Sequence, residues 1–99
     1  RLEYIVQDGG SADGSVDIVR RYSSLLKHWA SETDRGQAHA INLGMRHATG
    51  EILAYLNSDD TLLPGSLAYV ARFLAANPEG NQLYIIGGRY RVTSRGIEG

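Results

Sequence analysis

Hydrophobic and polar positions alternate in changing periods along the chain, and each change of period predicts an element. Leu2 to Val6 is a short apolar run rich in β-formers, closed by Asp8-Gly9-Gly10, which predicts a strand feeding a loop. Behind it come the capping residues Ser11-Ala12-Asp13-Gly14-Ser15. Val16, Val19, Tyr22 and Leu26 then recur at helical spacing. Asp13 or Ser15 is the expected N-cap, and Asp17 in the first turn suits the helix dipole. Lys27 to Glu32 reads as a short strand and Thr33-Asp34-Arg35-Gly36 as a turn. Ala38, Ile41, Met45 and Ala48 mark a second helix, with Gly50 as its expected C′ glycine. Ile52 to Leu56 is apolar and too short for a helix, so it is expected as a buried strand ending in Asn57-Ser58-Asp59-Asp60. Pro64 belongs in the first turn of a third helix with Leu67, Val70, Ala71 and Leu74 on one face, stopped by Asn77-Pro78. Leu83 to Ile86 is expected as a strand before Gly87-Gly88, and Arg89 to Thr93 as an antiparallel or edge strand.

Strand and helix in alternation imply an α/β fold with a mostly parallel sheet. Ligands of such sheets bind outside the carboxyl ends of the strands. Three polar loops are expected there, around Asp8, Asp34 and Asp59-Asp60, converging on one acidic rim.

Composition narrows the classes. The chain has 99 residues, 10 basic and 11 acidic, and no cysteine. That length allows one domain, taken as residues 1–99. The near-neutral charge argues against a nucleic-acid partner. The missing cysteines exclude a disulfide scaffold and a Cys-ligated metal. There is no apolar run of about 18 residues and no signal peptide. The chain begins at Arg1 in an almost immediately apolar stretch, and it is expected to be a piece of a longer protein. Nine basic residues are Arg and only Lys27 is Lys, which reads as genome composition.

Adjacent carboxylates at Asp59-Asp60 repel unless a cation or donors stabilise them. Hard cations such as Mg²⁺ or Mn²⁺ take oxygen ligands and are often held by one or two carboxylates with phosphates completing the shell. Taken alone, the pair serves better as a cap for the helix after it. Asp8 can accept from a base N–H or from ribose hydroxyls, although by itself an Asx turn is the better reading. Arg35 near a helix N-terminus suits a phosphate; with Gln37 and Asn42, site and simple capping are evenly matched. His28, His39 and His47 have no metal-ligand spacing and read as surface or half-buried residues. Trp29 with Tyr22 reads as core packing. Ser11 and Ser58 lack a nucleophile-elbow context. A receiver-type acidic pocket would need a late Lys, which the chain does not have.

Four segments, in order and at matching spacing, resemble glycosyltransferase family 2. They are Asp8-Gly9-Gly10-Ser11-Ala12-Asp13-Gly14-Ser15, Asp34-Arg35-Gly36-Gln37-Ala38 through Ala40-Ile41-Asn42-Leu43-Gly44, Thr49-Gly50-Glu51-Ile52, and Leu56-Asn57-Ser58-Asp59-Asp60. The similarity runs over about residues 3–90. It implies a GT-A fold, Rossmann-like and incomplete at both ends here, with the donor-binding half present and the acceptor half missing. It implies inverting transfer from a nucleotide-diphospho-sugar, often a UDP-sugar, to a hydroxyl of a saccharide or lipid-linked acceptor, with Mg²⁺ or Mn²⁺. Asp8, with Gly10, Ser11 and Asp13, matches the segment that reads the nucleotide. Asp59 and Asp60 match the ribose and metal site, Asp60 as the favoured ligand. Arg35, Gln37 and Asn42 match the middle motif near the diphosphate or sugar. The pattern departs at Asn57, where relatives often carry Asp, and in the missing strand and nucleotide loop before Arg1. No general base is recognisable, since only Glu79 and Glu98 follow Asp60.

The resemblance places the protein in the cytoplasm, at the inner face of a membrane where other regions anchor it, in polysaccharide or cell-envelope synthesis. Other readings are a non-catalytic interaction domain on a degenerate GT-A scaffold and a related nucleotidyltransferase. A parallel sheet short of a strand exposes an unpaired edge, so a marginal or self-associating chain is expected.

Overall fold

The computed structural model describes residues 1–77 and 91–98. The chain is organised as two compact units, Arg1–Ser58 and Asp59–Gly99.

The first unit holds strand β1 (Ile5–Asp8), helix α1 (Ser15–Arg21), a 3₁₀ turn (Ser23–Leu25), strand β2 (His28–Ser31) and helix α2 (Gln37–Met45). β1 and β2 pair in parallel, with Ile5 opposite His28 and Asp8 opposite Ser31. Parallel neighbours need a crossover of a dozen or more residues, which α1 and the 3₁₀ turn supply. The ladder continues at both ends: the Lys27 N–H donates to the Tyr4 carbonyl and the Glu32 N–H to that of Asp8. The first strand thus runs later than Leu2–Val6, because pairing with β2 decides its limits. α2 lies on β1 at Gly44, the one buried residue of that helix. A Cβ there would sit 3.7 Å from Gln7 Cβ and 3.8 Å from Ile5 Cγ2.

Helix limits differ from the periodic reading for local reasons. Gly14, at φ 94°, takes the cap position of α1, a backbone that suits glycine, while Asp13 Oδ1 accepts from the Ser15 N–H and hydroxyl. α1 ends at Arg21, so Tyr22 and Leu26 leave its face, and Tyr22 is 57% exposed. Trp29 is half-buried, with the Arg20 guanidinium 5.9 Å from its ring, so the expected packing of Tyr22 and Trp29 into one core does not form. α2 stops at Met45, before Ala48. Gly50 is not its cap: the N–H groups of Thr49 and Gly50 both donate to Glu3 Oε1, at 2.9 and 3.0 Å. Lys27 Nζ and the Thr49 hydroxyl bond the other oxygen of Glu3. These donors, Lys27 first, hold the Glu3 carboxyl down at about 2. Next to this node the His28 and His47 rings stack at 3.5 Å.

The expected strand Ile52–Leu56 does not form. Ile52 lies in a bend, residues 53–56 form no regular structure, and the segment is exposed, Leu53 at 55% and Leu56 at 46%. Apolar composition favours burial, but a strand exists only where a neighbour offers its edge, and among the described residues none pairs with it.

The second unit contains α3 (Ser66–Ala76) and an antiparallel pair, β3 (Arg91–Thr93) and β4 (Gly96–Glu98). Pro64 lies in the turn before α3, and Gly65, at φ 81°, precedes the first helical residue. Of the expected apolar face, Val70 and Leu74 are half-buried and Leu67 is 47% exposed. Asn77 ends the helix as its spacing before Pro78 predicts, with its Nδ2 donating to the Phe73 carbonyl at 2.8 Å. The expected strand Leu83–Ile86 lies outside the described residues, as do Arg89 and Tyr90; Arg91 to Thr93 is the antiparallel strand expected there.

Candidate functional site

β1 and β2 end side by side, so the loops that follow them meet. Asp8, the last residue of β1, gathers four hydrogen bonds. Its Oδ2 accepts from the Gly10 N–H at 3.0 Å, the Ser11 N–H at 2.8 Å and the Ser31 hydroxyl at 2.7 Å. Its Oδ1 accepts from the Ser11 hydroxyl at 2.5 Å. Bonds to the charged form favour it, and those from Ser11, then Ser31, hold the Asp8 carboxyl down at about 2. A carboxylate has about four lone-pair directions, two on each oxygen. Oδ2 is saturated, whereas Oδ1 keeps one direction for a donor from outside the chain. The Asx turn is therefore real, and it leaves the anion fixed, charged and able to accept one more bond.

The loop after β2 closes against this turn. A Cβ on Gly9 would lie 2.7 Å from Asp34 Oδ2, so glycine is what allows that approach. Asp34 Oδ1 in turn accepts the Gly36 N–H at 2.9 Å, just before α2. Glu32 Oε1 accepts from Gln7 Nε2 at 3.1 Å. At the start of α2 the Arg35 N–H donates to His39 Nδ1 at 2.9 Å, which leaves the exposed Arg35 side chain at a helix N-terminus. Gln37 Nε2 donates to Asn57 Oδ1 at 2.5 Å.

Thus the Asp8 loop, the Asp34–Gln37 loop and Asn57 are joined in the first unit. Asp13 stands apart: it organises the start of α1 through Ser15, whose donors hold its carboxyl below the usual range. Asn42 is exposed on α2, five residues after Gln37 and so about 140° around the helix from it. Asp59 and Asp60 are exposed at the start of the second unit, Asp59 in a turn with Ser58. Sequence reasoning missed two partners. Ser31 lies inside the strand expected over Lys27 to Glu32, and its role follows only from its register opposite Asp8. Asn57 was read for its departure from Asp and not for its bond to Gln37.

A hard divalent cation takes oxygen ligands. Asp59 and Asp60 offer adjacent exposed carboxylates, the type of partial shell that substrate phosphates complete. Among the described residues no three His, Cys, Asp or Glu side chains gather to hold a metal, so the carboxylate pair fits the cation only with such added ligands. No helix among these residues is long and apolar enough to cross a membrane.

Comparison with known proteins places these features. The family described as glycosyl transferase family 2 matches residues 1–96, which takes in both units. An uncharacterized glycosyltransferase of Mycobacterium tuberculosis is 34% identical over 88 residues, covering 88% of this chain and 34% of that protein. A PGL/p-HBAD biosynthesis glycosyltransferase of Mycobacterium bovis is 34% identical over 89 residues, covering 84% of this chain and 34% of the relative. An uncharacterized glycosyltransferase of Haemophilus influenzae is 28% identical over 101 residues, covering 86% and 40%. The chain thus spans about a third of the length of these two mycobacterial relatives. No solved structure is a significant match.

Proposed function

The chain belongs to glycosyl transferase family 2, and on that premise we propose that it supplies the donor-binding part of an enzyme that moves a sugar from a nucleotide-diphospho-sugar to an acceptor hydroxyl with inversion. Its fold is of the GT-A class, represented by the short parallel sheet with flanking helices. The observation that carries the proposal is Asp8: a carboxylate held ionised by four donors from two strand ends, with one direction on Oδ1 left open.

In this reading Asp8 Oδ1 accepts an N–H of the base, and the Gly10-Ser11 backbone lies beside the ribose. The Arg35 guanidinium and the N-terminal end of α2 attract the diphosphate. Asp59 and Asp60 would hold Mg²⁺ or Mn²⁺, Asp60 as the principal ligand. A cation there would supply Lewis-acid neutralisation of charge on the leaving diphosphate. In the transfer the acceptor oxygen attacks the anomeric carbon, its proton passes to a base, and the bond from that carbon to the diphosphate oxygen breaks. A positioned base contributes about 10²–10⁴-fold. No residue of this chain is assigned to that role, so the chain is expected to bind donor without appreciable transfer.

UDP-sugars are the favoured donors, and saccharides or lipid-linked molecules the favoured acceptors. One relative's name, which refers to PGL/p-HBAD biosynthesis, supports a biosynthetic role, and we place the activity in cell-envelope or polysaccharide assembly on the cytoplasmic side of the membrane. Saturation-transfer NMR with UDP-, GDP- and dTDP-sugars in the presence of Mg²⁺ tests the reading. Transfer to the protons of one donor's base and ribose is expected. A folded chain that touches none of them is a non-catalytic scaffold, and the proposal fails.

A further inference from the structure

The departure at Asn57 has a partner in the structure. Asn57 Oδ1 is engaged by Gln37 Nε2, at the first residue of α2. Gln37 is itself held in place from both sides: Gly36, its neighbour, bonds Asp34, and α2 is seated on β1 at Gly44 seven residues later, on the same helix face. The pair therefore ties the chain at residue 57, just before Ser58, Asp59 and Asp60, to the element that follows the Asp34 loop.

We infer that Gln37 and Asn57 form an amide latch in which Gln37 is a positioning residue that fixes the Asn57 side chain and the end of the first unit, not a direct contact of the donor. The inference rests on the proposed function for its consequence but not for the latch itself. The latch explains why Asn serves at this position: an amide keeps the accepting oxygen that Gln37 needs, adds no third negative charge beside Asp59 and Asp60, and retains two N–H donors for phosphate or sugar oxygens.

The test is side-chain amide NMR of the chain with Gln37→Ala, Asn57→Ala, the double variant and Asn57→Asp, together with Mn²⁺-UDP affinity. The Gln37 side-chain NH₂ is expected to exchange slowly, to lose that protection in Asn57→Ala and to keep it in Asn57→Asp, which preserves the acceptor. Mn²⁺-UDP affinity is expected to fall by about the same factor, roughly two- to ten-fold for one hydrogen bond, in both single variants and in the double variant. A Gln37 amide that exchanges like a free glutamine overturns the latch. A protected amide with Asn57→Ala losing far more affinity than Gln37→Ala, and losses that add in the double variant, shows that Gln37 does not act through Asn57 and overturns its positioning role. A protected amide in a chain that binds no nucleotide keeps the latch and refutes the proposed function instead.

Discussion

Two carboxylates anchor the two ends of β1 in the first unit, and they do so by being charged. Glu3 and Asp8 both sit at about 2, lowered by Lys27 and Thr49 at one end of β1 and by Ser11 and Ser31 at the other. A carboxylate whose folded value is depressed stabilises the fold above its unfolded value and loses that contribution as pH falls through the folded value. The chain is therefore expected to lose stability between about pH 4.5 and pH 2, and Glu3→Gln and Asp8→Asn should each flatten that fall. Urea unfolding followed across that range checks it; a wild-type slope retained in both variants would contradict it. Ser31 belongs to the same scale. Ser31→Ala should raise the Asp8 value toward the ordinary range, read by carboxyl NMR titration, and weaken nucleotide affinity a few-fold, whereas Ser31→Thr should restore both.

At the scale of elements, two glycines make opposite predictions. Gly44 lies inside α2 with ordinary contact distances around an added Cβ, so Gly44→Ala should stabilise the chain by up to about 1 kcal/mol through helix propensity. Gly9 has the Asp34 carboxylate 2.7 Å from that position, so Gly9→Ala must turn the Asp34 side chain aside at the expense of its bond to the Gly36 N–H and should slightly lower both stability and nucleotide affinity. Chemical denaturation of the two variants separates these outcomes. The same contrast explains what the sequence could show. β2, α2 and α3 were legible because their signals are local: periodicity, a turn at Asp34, a stop at Asn77. Asp8 was legible as a candidate because its loop chemistry is compact. What escaped depends on distant pairing. Glu3 meets Thr49 across 46 positions, Ser31 meets Asp8 across the sheet, and Ile52–Leu56 lacks the neighbour that would make it a strand.

At the scale of the molecule, no large hydrophobic side chain among the described residues is fully buried. Leu2, Leu25, Leu53, Tyr55, Leu63 and Tyr69 each expose more than half of their surface. Apolar area on this scale left in water favours association. Sedimentation velocity over a concentration series is expected to show a species heavier than the monomer growing with concentration. A single monomeric species with a sharp, concentration-independent unfolding transition would refute self-association.

The proposed function comes down to one claim, that the chain binds a nucleotide diphosphate through Asp8 and a divalent cation through Asp60. Thermal unfolding with UDP, GDP and dTDP, with and without Mn²⁺, on the chain and on Asp60→Ala tests it most directly. A ligand at 100 times its Kd stabilises by about 2.7 kcal/mol, which in a domain of this size raises Tm by more than about 10 °C. The account predicts such a shift for one nucleotide, dependent on Mn²⁺ and lost in Asp60→Ala. A folded chain with no shift, or with a shift indifferent to Mn²⁺ and to Asp60, would contradict it.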